Sequence, residues 1–598
     1  IMSQNKLLTR NEIPAEDKWH LTDIYPNIAE WQKAFDSLPA LIDEITALKG
    51  NLTEPAVLLD CFTKVDNLQL IVEKLFAFAR MSADTDTANQ EYQRLSAKCL
   101  PLIDKANTAT AFIEPELLSL SDNELKKMAD KLPGLNKYRF RFLELLRQKE
   151  HILDPAAEAL IARTGEIRQS AKNTYTVMTN ADLKFPDTLG EDGQMTTLSE
   201  SRYMQFIRSE SPAVRADAFK KLFNTYKAFR NTFASIYSSS VSASKFIAQA
   251  RHFPSMIEAA LSADNIPLAV YDTTIRVTNQ YLPELHRYLK LKKKLLKLTE
   301  LHMYDLYVPM VAKPKIKYTY EQGQALIREA LKPLGSDYSN QLFAGLNSGW
   351  ADRLENQGKR SGAYSWGVYG VHPFILMSWH DDYDAVSTLI HELGHSMHSY
   401  YSSKQQAYTN SQYTIFCAEV ASTTNENLLL EYMLSHANSS DRLYYLNLYL
   451  EQIRTTVFRQ VMFAEFEKIT HASVEQGEVL TADKLESIWL ELNQKYYGND
   501  VIIDPEISAE WSRIPHFYRP FYVYQYATGY AAAMTISHKL RHEGEPARNA
   551  YLKYLGSGNS DYSINLLRNA GVDMTSAEPF TITFEKFKDC LDELEKSI

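Results

Sequence analysis

The residues best suited to chemistry lie in one segment, His391–His398, which reads His-Glu-Leu-Gly-His-Ser-Met-His. On an α-helix, residues four apart lie on one face, so His391 and His395 can aim their ring nitrogens at one point. Neutral imidazole is a common zinc ligand, and Glu392 lies between the two histidines, where a base can take a proton from a zinc-bound water. This H-E-x-x-H spacing therefore predicts a catalytic zinc site with Glu392 as the general base.

The surroundings of the motif favour this prediction over a chance occurrence, which any long protein can contain. Residues 385–390 carry no charge, and neither do Leu393, Gly394 and Met397. Two histidines and a glutamate on such a helix would cost several kcal/mol to bury without a partner, and a metal ion is a suitable partner. Asp384 is predicted to cap the N-terminus of this helix.

A third histidine of the segment, His398, leaves another pairing open. His391 and His398 are two turns apart, about 10.5 Å along the helix axis, so they cannot bind one ion. His395 and His398 are an alternative chelating pair, but only the 391/395 pair places Glu392 inside the chelate. We therefore predict that His398 lies behind the metal ligands or on the substrate side of the site.

A catalytic zinc ion takes three protein ligands and keeps one position for water, so one more ligand must come from outside the motif. No histidine follows at the spacing H-E-x-x-H-x-x-G-x-x-H, because that position is Tyr401. Glu419 lies in the apolar stretch 414–426, where a carboxylate without a cation is rare. Glu419 is therefore the predicted third ligand, with an arginine partner as the alternative. Glu426, seven residues on, is predicted to accept the N–H of a ligand imidazole.

These residues together resemble the thimet-oligopeptidase-like zinc metallopeptidases, and most closely their bacterial oligoendopeptidase F branch. Three more segments share the resemblance: 362–367 (Gly-Ala-Tyr-Ser-Trp-Gly), 515–518 (Pro-His-Phe-Tyr) and 569–573 (Asn-Ala-Gly-Val-Asp). It is strong after residue 200 and looser before it. The resemblance implies a mainly α fold with a zincin-type catalytic domain, a small β-sheet beside the zinc helix, and helical lobes walling a deep substrate channel. It also implies one Zn²⁺ ion per chain and short peptides as substrates.

The resemblance also implies roles beyond metal binding. Residues 516–530 are dense in hydroxyl and imidazole donors, which suit the stabilisation of negative charge on a peptide carbonyl oxygen. The family motif carries over to His516 and extends to neighbouring tyrosines, with aromatic core packing as the alternative. The predicted catalytic residues of this segment are His516, Tyr518 and Tyr526. The predicted substrate contacts are Tyr522, Gly362, Tyr364 and His398.

Composition and charge argue against several other classes of protein. Among 598 residues, 21 glycines and 22 prolines are few, as expected for a mostly helical chain, and the net charge of −10 argues against a nucleic-acid partner. No run of 18 apolar residues is present and residues 1–6 lack an apolar signal core, so we expect a cytoplasmic protein without a membrane partner. The four cysteines are far apart, which argues against a disulfide framework or a thiolate metal site.

The elements that must position these residues follow from hydrophobic spacing. The N-terminal part of the chain is typical of successive helices, and the turn signal at 192–193 predicts a hairpin over 182–198. We predict one or more N-terminal helical lobes over 1–200 and a zinc metallopeptidase catalytic domain over 201–598. The apolar run 373–379 predicts a strand just before the zinc helix. Its open edge would hold an extended peptide through backbone hydrogen bonds, with an ordinary buried strand as the alternative.

The function predicted from the sequence is hydrolysis of internal bonds in short oligopeptides by a zinc endopeptidase, which acts as a monomer or a small homo-oligomer. A zinc carboxypeptidase is the first alternative, and it would need a cation such as Arg513 or Arg519 to hold the free carboxylate. A non-catalytic binding protein stabilised by structural zinc is the second alternative, and it would need four protein ligands.

Overall fold

Helices make up most of this protein, as the sequence predicted. The computed structural model describes residues 7–597, so the predicted absence of a signal core in residues 1–6 lies outside the described residues. The chain forms two compact units, each built from separated segments. The first runs to Glu150 and adds Lys315–Tyr432 and Ile536–Val572; the second comprises His151–Pro314, Met433–Thr535 and the chain from Asp573 onward. The functional division predicted at residue 200 stays a prediction.

The α-helices in the described part of the chain are numbered in sequence order. Those up to residue 150 are Ile28–Thr46 (α1), Pro55–Thr85 (α2), Gln90–Thr110 (α3), Ile113–Leu118 (α4), Asp122–Lys131 (α5) and Arg139–Gln148 (α6). The next group is Pro155–Arg163 (α7), Gly165–Val177 (α8), Glu200–Ile207 (α9), Pro212–Ala228 (α10), Arg230–Ala250 (α11), Met256–Ser262 (α12), Leu268–Gln280 (α13) and Leu282–Leu295 (α14). The last group is Tyr320–Ala330 (α15), Ser336–Leu346 (α16), Tyr383–Gln405 (α17), Ile415–His436 (α18), Ser439–Ile453 (α19), Arg459–Glu475 (α20), Ala482–Tyr497 (α21), Tyr524–His542 (α22), Glu545–Leu555 (α23), Ser563–Asn569 (α24) and Glu578–Lys596 (α25).

The strands are few and short, and they form three small sheets within residues 7–597. They are Thr188–Leu189 (β1), Met195–Thr196 (β2), Leu301–His302 (β3), Ala351–Asp352 (β4), Tyr364–Trp366 (β5), Phe374–Leu376 (β6) and Val501–Ile502 (β7). In the second unit, β1 pairs antiparallel with β2, and β3 pairs parallel with β7. In the first unit, the order is β4-β6-β5. The predicted mainly α fold with a small sheet beside α17 is confirmed, whereas the channel walled by helical lobes stays a prediction.

The strand that precedes α17 is the central strand of its sheet, so the predicted open edge on this strand is wrong. β6 pairs parallel with β4 on one side and antiparallel with β5 on the other. Its residues Phe374, Ile375 and Leu376 are fully buried, because an apolar run without alternation suits a strand covered on both faces. β5 is an outer strand of this sheet, and its middle residue Ser365 makes a side-chain contact with α17.

α17 begins with a different cap from the predicted one. Asp382 has an extended backbone, and its carboxylate accepts a hydrogen bond from the N–H of Ala385 at 3.0 Å. Asp384, the predicted cap, lies in the first helical turn, where its charge still interacts favourably with the helix dipole. The prediction that a helix carries the H-E-x-x-H motif is confirmed, and the identity of its cap is corrected.

Each unit has an apolar core rich in large aromatic side chains. Trp31 is fully buried in the first unit and Trp489 in the second. The four cysteines are buried as free thiols. Across residues 7–597, every helix is too short or too polar to cross a membrane.

Candidate metal centre

Three side chains from two neighbouring helices converge in the first unit. Nε2 of His391 and Nε2 of His395, both on α17, lie 3.5 and 3.6 Å from the same oxygen, Oε2 of Glu419 on α18. One donor atom from each residue can be chosen so that all three lie within 4.8 Å of one another. A tetrahedral zinc ion with ligands at about 2.0–2.1 Å would separate its donors by about 3.4 Å, so two imidazoles and a carboxylate at these distances fit one ion. The three ligands predicted from the sequence therefore form a cluster that can hold a metal.

α18 also orients both imidazole rings. Nδ1 of His391 lies 3.4 Å from Oε2 of Glu426, the residue predicted to accept this N–H. The backbone carbonyl oxygen of Ala418 accepts a hydrogen bond from the ring of His395. Such partners select the tautomer of a metal-binding histidine and leave its other nitrogen free for the ion.

Glu419 is held by its own helix and not by an arginine. Oγ of Ser422, one turn along α18, donates a hydrogen bond to Oε2 of Glu419 at 2.9 Å. In the described part of the chain, the ion-pair partners of Glu419 are His391 and His395, which removes the alternative of an arginine partner. Although Glu419 lies in an apolar stretch of the sequence, its side chain is 49% exposed and therefore faces accessible space.

The charges around the two histidines shift their pKa values in opposite directions. Burial lowers the pKa of His391, but the hydrogen bond to Glu426 and the carboxylates of Glu392 and Glu419 outweigh it and raise the pKa to about 9. Burial lowers the pKa of His395 to about 4, and the charge of His391 adds to that effect. A metal ion that binds both rings must therefore displace a proton, so zinc affinity should rise with pH.

Gly394, inside the motif, sets the separation of α17 and α18. A Cβ atom at this position would lie 2.5 Å from Cα of Ser422 and 2.7 Å from the carbonyl oxygen of Ala421, both backbone atoms of α18. Backbone atoms cannot turn away as a flexible side chain can. The glycine is therefore required for the approach that brings Glu419 to the two histidines.

We expect Gly394→Ala to weaken zinc binding at least about tenfold, because α18 must move away from α17 and a binding site tolerates only about 0.5 Å of displacement. Competition against a chromogenic chelator would measure the affinity. Gly165→Ala is the matched control, since a Cβ at that helical glycine meets no atom within 4 Å. Unchanged zinc affinity in Gly394→Ala would contradict this role for the glycine.

Glu392 lies beside the cluster on the buried side of α17 and is 6% exposed. Burial raises the pKa of Glu392 to about 7, against an opposing effect of the His391 charge. The backbone N–H of Ser365 donates a hydrogen bond to the Glu392 carboxylate, and Oγ of Ser365 lies 2.8 Å from Oγ of Ser396. Hydrogen bonds therefore connect the outer strand β5 to α17 at Glu392, the predicted general base.

His398 is a buried residue of α17. It is 1% exposed, and its ring stacks on that of Tyr413 with centroids 3.6 Å apart and planes 3° apart. Burial, together with the charge of His395, lowers the pKa of His398 to about 3. Its burial is consistent with a position behind the metal ligands, and the predicted contact with substrate stays a prediction.

The other predicted substrate contacts of the first unit lie on or beside β5. Gly362 has a φ of +88° just before the strand, and a Cβ there would meet no atom within 4 Å. The hydroxyl of Tyr364 donates a hydrogen bond to Oδ2 of Asp84 at 3.0 Å, so this side chain is held by α2. The Tyr364 side chain is therefore engaged with α2, and the N–H of the next residue, Ser365, is engaged with Glu392.

Three of the four residues predicted in the 516–526 segment form one cluster in the second unit. Nε2 of His516 lies 3.1 Å from the hydroxyl oxygen of Tyr526, and the ring of Tyr522 lies 5.5 Å from that of Tyr526. Tyr518 is separate from them, because its ring packs 4.4 Å from that of Tyr175. The structure therefore groups His516, Tyr522 and Tyr526 and places Tyr518 apart from them, so the predicted catalytic role of Tyr518 stays a prediction.

Burial and a neighbouring positive charge favour the neutral form of the His516 imidazole. Burial lowers the pKa of His516, and the positive charge of Arg519 lowers it further. The Arg519 guanidinium lies over the ring of Tyr522, 4.0 Å from its centroid. A neutral imidazole and a phenol can both donate hydrogen bonds to an oxygen that gains negative charge.

The groups that hold these residues in place were not predicted from the sequence. Ser422 lies three residues after Glu419, and this helical spacing was a local signal for its hydrogen bond. Ser365 had no such signal, because β5 and α17 meet only through the fold. The Ala418 carbonyl had none either, since every residue has one.

Comparison with known proteins agrees with the resemblance found in the sequence. The family model for peptidase family M3 matches residues 205–586, and that for oligopeptidase F matches residues 116–185. Oligopeptidase PepF of Bacillus subtilis (strain 168) is 43% identical over 99% of this chain and 89% of its own. A solved oligoendopeptidase-F from Enterococcus faecium is 37% identical over 95% of this chain and 98% of its own, with a TM-score of 0.74. A solved protein from Chlamydophila abortus is 32% identical over 99% of this chain and all of its own, with a TM-score of 0.92. The chain therefore belongs to peptidase family M3, in its oligopeptidase F branch.

Proposed function

We propose that this protein is a zinc-dependent endopeptidase that hydrolyses internal bonds of short oligopeptides. The observation that carries the proposal is the convergence of His391, His395 and Glu419 on one point, with the carboxyl group of Glu392 beside them, in a chain of peptidase family M3. The substrate class follows the names of the relatives, among them the oligopeptidase of Bacillus subtilis. The predicted cytoplasmic location and oligomeric state stay predictions.

The residues of the centre have separate roles in this proposal. Zinc, when bound, would polarise the peptide carbonyl and lower the pKa of a water molecule. His391, His395 and Glu419 hold the ion, and Glu426 and Ala418 keep the two rings in position. Glu392 accepts the proton of the attacking water and then passes it to the leaving amine.

We propose that His516 and Tyr526 act as a pair, in which Nε2–H of His516 donates to the hydroxyl oxygen of Tyr526 and the O–H of Tyr526 donates to a substrate oxygen as negative charge develops on it. The contact of 3.1 Å between the two groups supports this arrangement, and the lowered pKa of His516 favours the neutral imidazole that it uses. Tyr522 adds an aromatic surface next to them. Tyr518 is not included, because it is buried against Tyr175.

The extended substrate would lie along β5 and not along β6, because β5 is one of the two outer strands and meets α17 beside Glu392. The N–H of Ser365 already donates to Glu392, so the carbonyl oxygen of Ser365 is the outward backbone group of this strand that would accept a hydrogen bond from a peptide, largely irrespective of the peptide's sequence. The open space at Gly362 would leave room for the chain that enters beside the strand.

The two alternative functions have less support in the structure. Arg513, one of the cations considered for holding a free carboxylate, is already paired with Glu200 at 2.8 Å. A structural zinc site would present four protein ligands, whereas the cluster found in residues 7–597 has three. The three-ligand cluster favours a catalytic site, and the pairing of Arg513 leaves Arg519, which lies over the ring of Tyr522, as the cation that a carboxypeptidase would use.

Product mapping by mass spectrometry would test the proposal. We expect the zinc-loaded protein to cut a peptide blocked at both ends at internal bonds, and a chelator to stop cleavage. The same peptide with a free C-terminus is the control, since a carboxypeptidase would cut only that form, one residue at a time. An absence of cleavage of both peptides by the zinc-loaded protein would refute the proposed function.

A further inference from the structure

Glu467 is a carboxyl group buried in the second unit without a cation beside it. It lies on α20 and is 0% exposed, and among the described residues no lysine or arginine forms an ion pair with it. Such a group is rare, because burial without a compensating partner is costly. Its Oε1 accepts a hydrogen bond from the backbone N–H of Phe521 at 2.9 Å.

Phe521 has a backbone conformation that side chains seldom adopt. Its φ is +55°, in the left-handed region, where a bulky residue is uncommon and needs support from its surroundings. The ring is buried between His471, at 4.5 Å, and Tyr271, at 5.8 Å. Both the side chain and the N–H of Phe521 are therefore held by neighbouring helices.

The left-handed residue lies between the two parts of the donor cluster. His516 lies in the turn Pro515–Tyr518 before it, and Tyr526 lies in the first turn of α22 after it. The chain must change direction between these elements for Nε2 of His516 to reach 3.1 Å from the hydroxyl oxygen of Tyr526. The conformation at Phe521 is thus part of what brings the two donors together.

We propose that Glu467 is a positioning residue, which holds Phe521 in the left-handed conformation and so keeps His516, Tyr522 and Tyr526 together as one donor cluster. The effect on catalysis rests on the proposed function. The effect on the turn at Phe521 does not rest on the proposed function, since all the residues involved lie in the second unit.

The chemistry of the buried group suggests the informative substitutions. Burial raises the pKa of Glu467 to about 8, against the effect of the Phe521 hydrogen bond, so the group is largely neutral near pH 7. Glutamine has the same size and keeps a carbonyl oxygen to accept the N–H of Phe521. Leucine fills a similar volume but leaves that N–H buried without an acceptor.

The experiment compares Glu467→Gln and Glu467→Leu in the full-length, zinc-loaded protein. Hydrogen exchange of residues 515–526 would report the turn, and kcat and KM on a short peptide would report the cluster. We expect Glu467→Leu to speed exchange in this segment and to lower kcat on the order of 10- to 100-fold with a smaller change in KM. Glu467→Gln should leave both the hydrogen exchange of residues 515–526 and kcat close to those of the unsubstituted protein.

A matched control lies two residues away on the same helix. Glu465 accepts a hydrogen bond from the hydroxyl of Tyr496 at 2.9 Å and makes no contact with the turn in the hydrogen bonds described. Glu465→Leu should leave exchange of residues 515–526 and kcat unchanged. A second test uses Phe521→Gly, because glycine adopts a positive φ without a side-chain penalty, so Glu467→Leu should then lower kcat by a smaller factor.

Several results would overturn the inference. Unchanged exchange of residues 515–526 in Glu467→Leu would show that the carboxyl group does not hold the turn. Faster exchange throughout the unit in both Glu467→Leu and Glu467→Gln would show a general role in the core. If exchange changes as expected but the parent cleaves no peptide, the proposed function fails while the role of Glu467 in the turn stands.

Discussion

Replacing Glu392 by glutamine is expected to reduce kcat by about 10²–10⁴-fold while zinc remains bound. Glutamine keeps the size of the side chain and an oxygen to accept the Ser365 N–H, but it cannot take a proton from water. His391, His395 and Glu419 are untouched by the change. Peptide turnover and zinc content, measured on the same sample, would show whether the two properties separate.

The control for this prediction is Glu329→Gln, the same change on an α15 side chain whose partner is the neighbouring Lys332. Turnover should be unaffected there. Parental turnover in Glu392→Gln would remove the general base from the proposed reaction. Loss of zinc from that variant would instead show that Glu392 contributes to the metal site.

Replacing Glu419 by alanine is expected to lower zinc affinity by more than about 100-fold and to abolish detectable cleavage at ordinary zinc concentrations. Loss of an outer partner of a zinc ligand typically costs about 10–100-fold in affinity, and loss of a ligand should cost more. The structure supports a larger loss of affinity at Glu419 than at Glu426. Oε2 of Glu419 lies close to both His391 and His395, whereas Glu426 contacts only the ring of His391. Glu426→Gln should therefore fall between Glu419→Ala and the parent.

Titration against a competing chelator would rank these variants, and thermal unfolding would give an independent measure. Zinc that binds the folded state stabilises it by an amount that grows with the ratio of the zinc concentration to Kd, so Glu419→Ala should lose most of the zinc-dependent rise in Tm. Glu431→Gln is a control on the same helix, since Glu431 pairs with Arg541. Parental affinity in Glu419→Ala would mean that the third ligand is another residue.

The features that sequence reasoning obtained correctly are local ones. His391 and His395 are four residues apart, so on any α-helix they lie on the same face, whatever surrounds the helix. The same geometry relates Glu419 to Glu426, seven residues apart on α18. Family resemblance pointed to His516 and Tyr526, which the structure places in contact.

The predictions that differ from the structure concern positions where two neighbouring residues suited the same role equally well, or where segments distant in sequence come into contact. Asp382 and Asp384 are both suitable caps, and the extended backbone at Asp382 decided between them. The apolar run at Phe374–Leu376 indicated a strand, but its place between β4 and β5 depends on hydrogen bonds to residues outside the run. His398 lies on a predictable helical face, yet only the fold brings the ring of Tyr413 against it.

The sequence by itself determined the helices and the chemistry of the side chains that they carry, which is enough to indicate a metal site. These properties depend on spacings of three to four residues and on the chemistry of single groups. Only the tertiary structure decided how far α17 lies from α18, because that distance depends on a backbone contact at Gly394 that no spacing encodes. The same is true of the turn at Phe521, whose N–H is held by a carboxyl group 54 residues earlier in the chain.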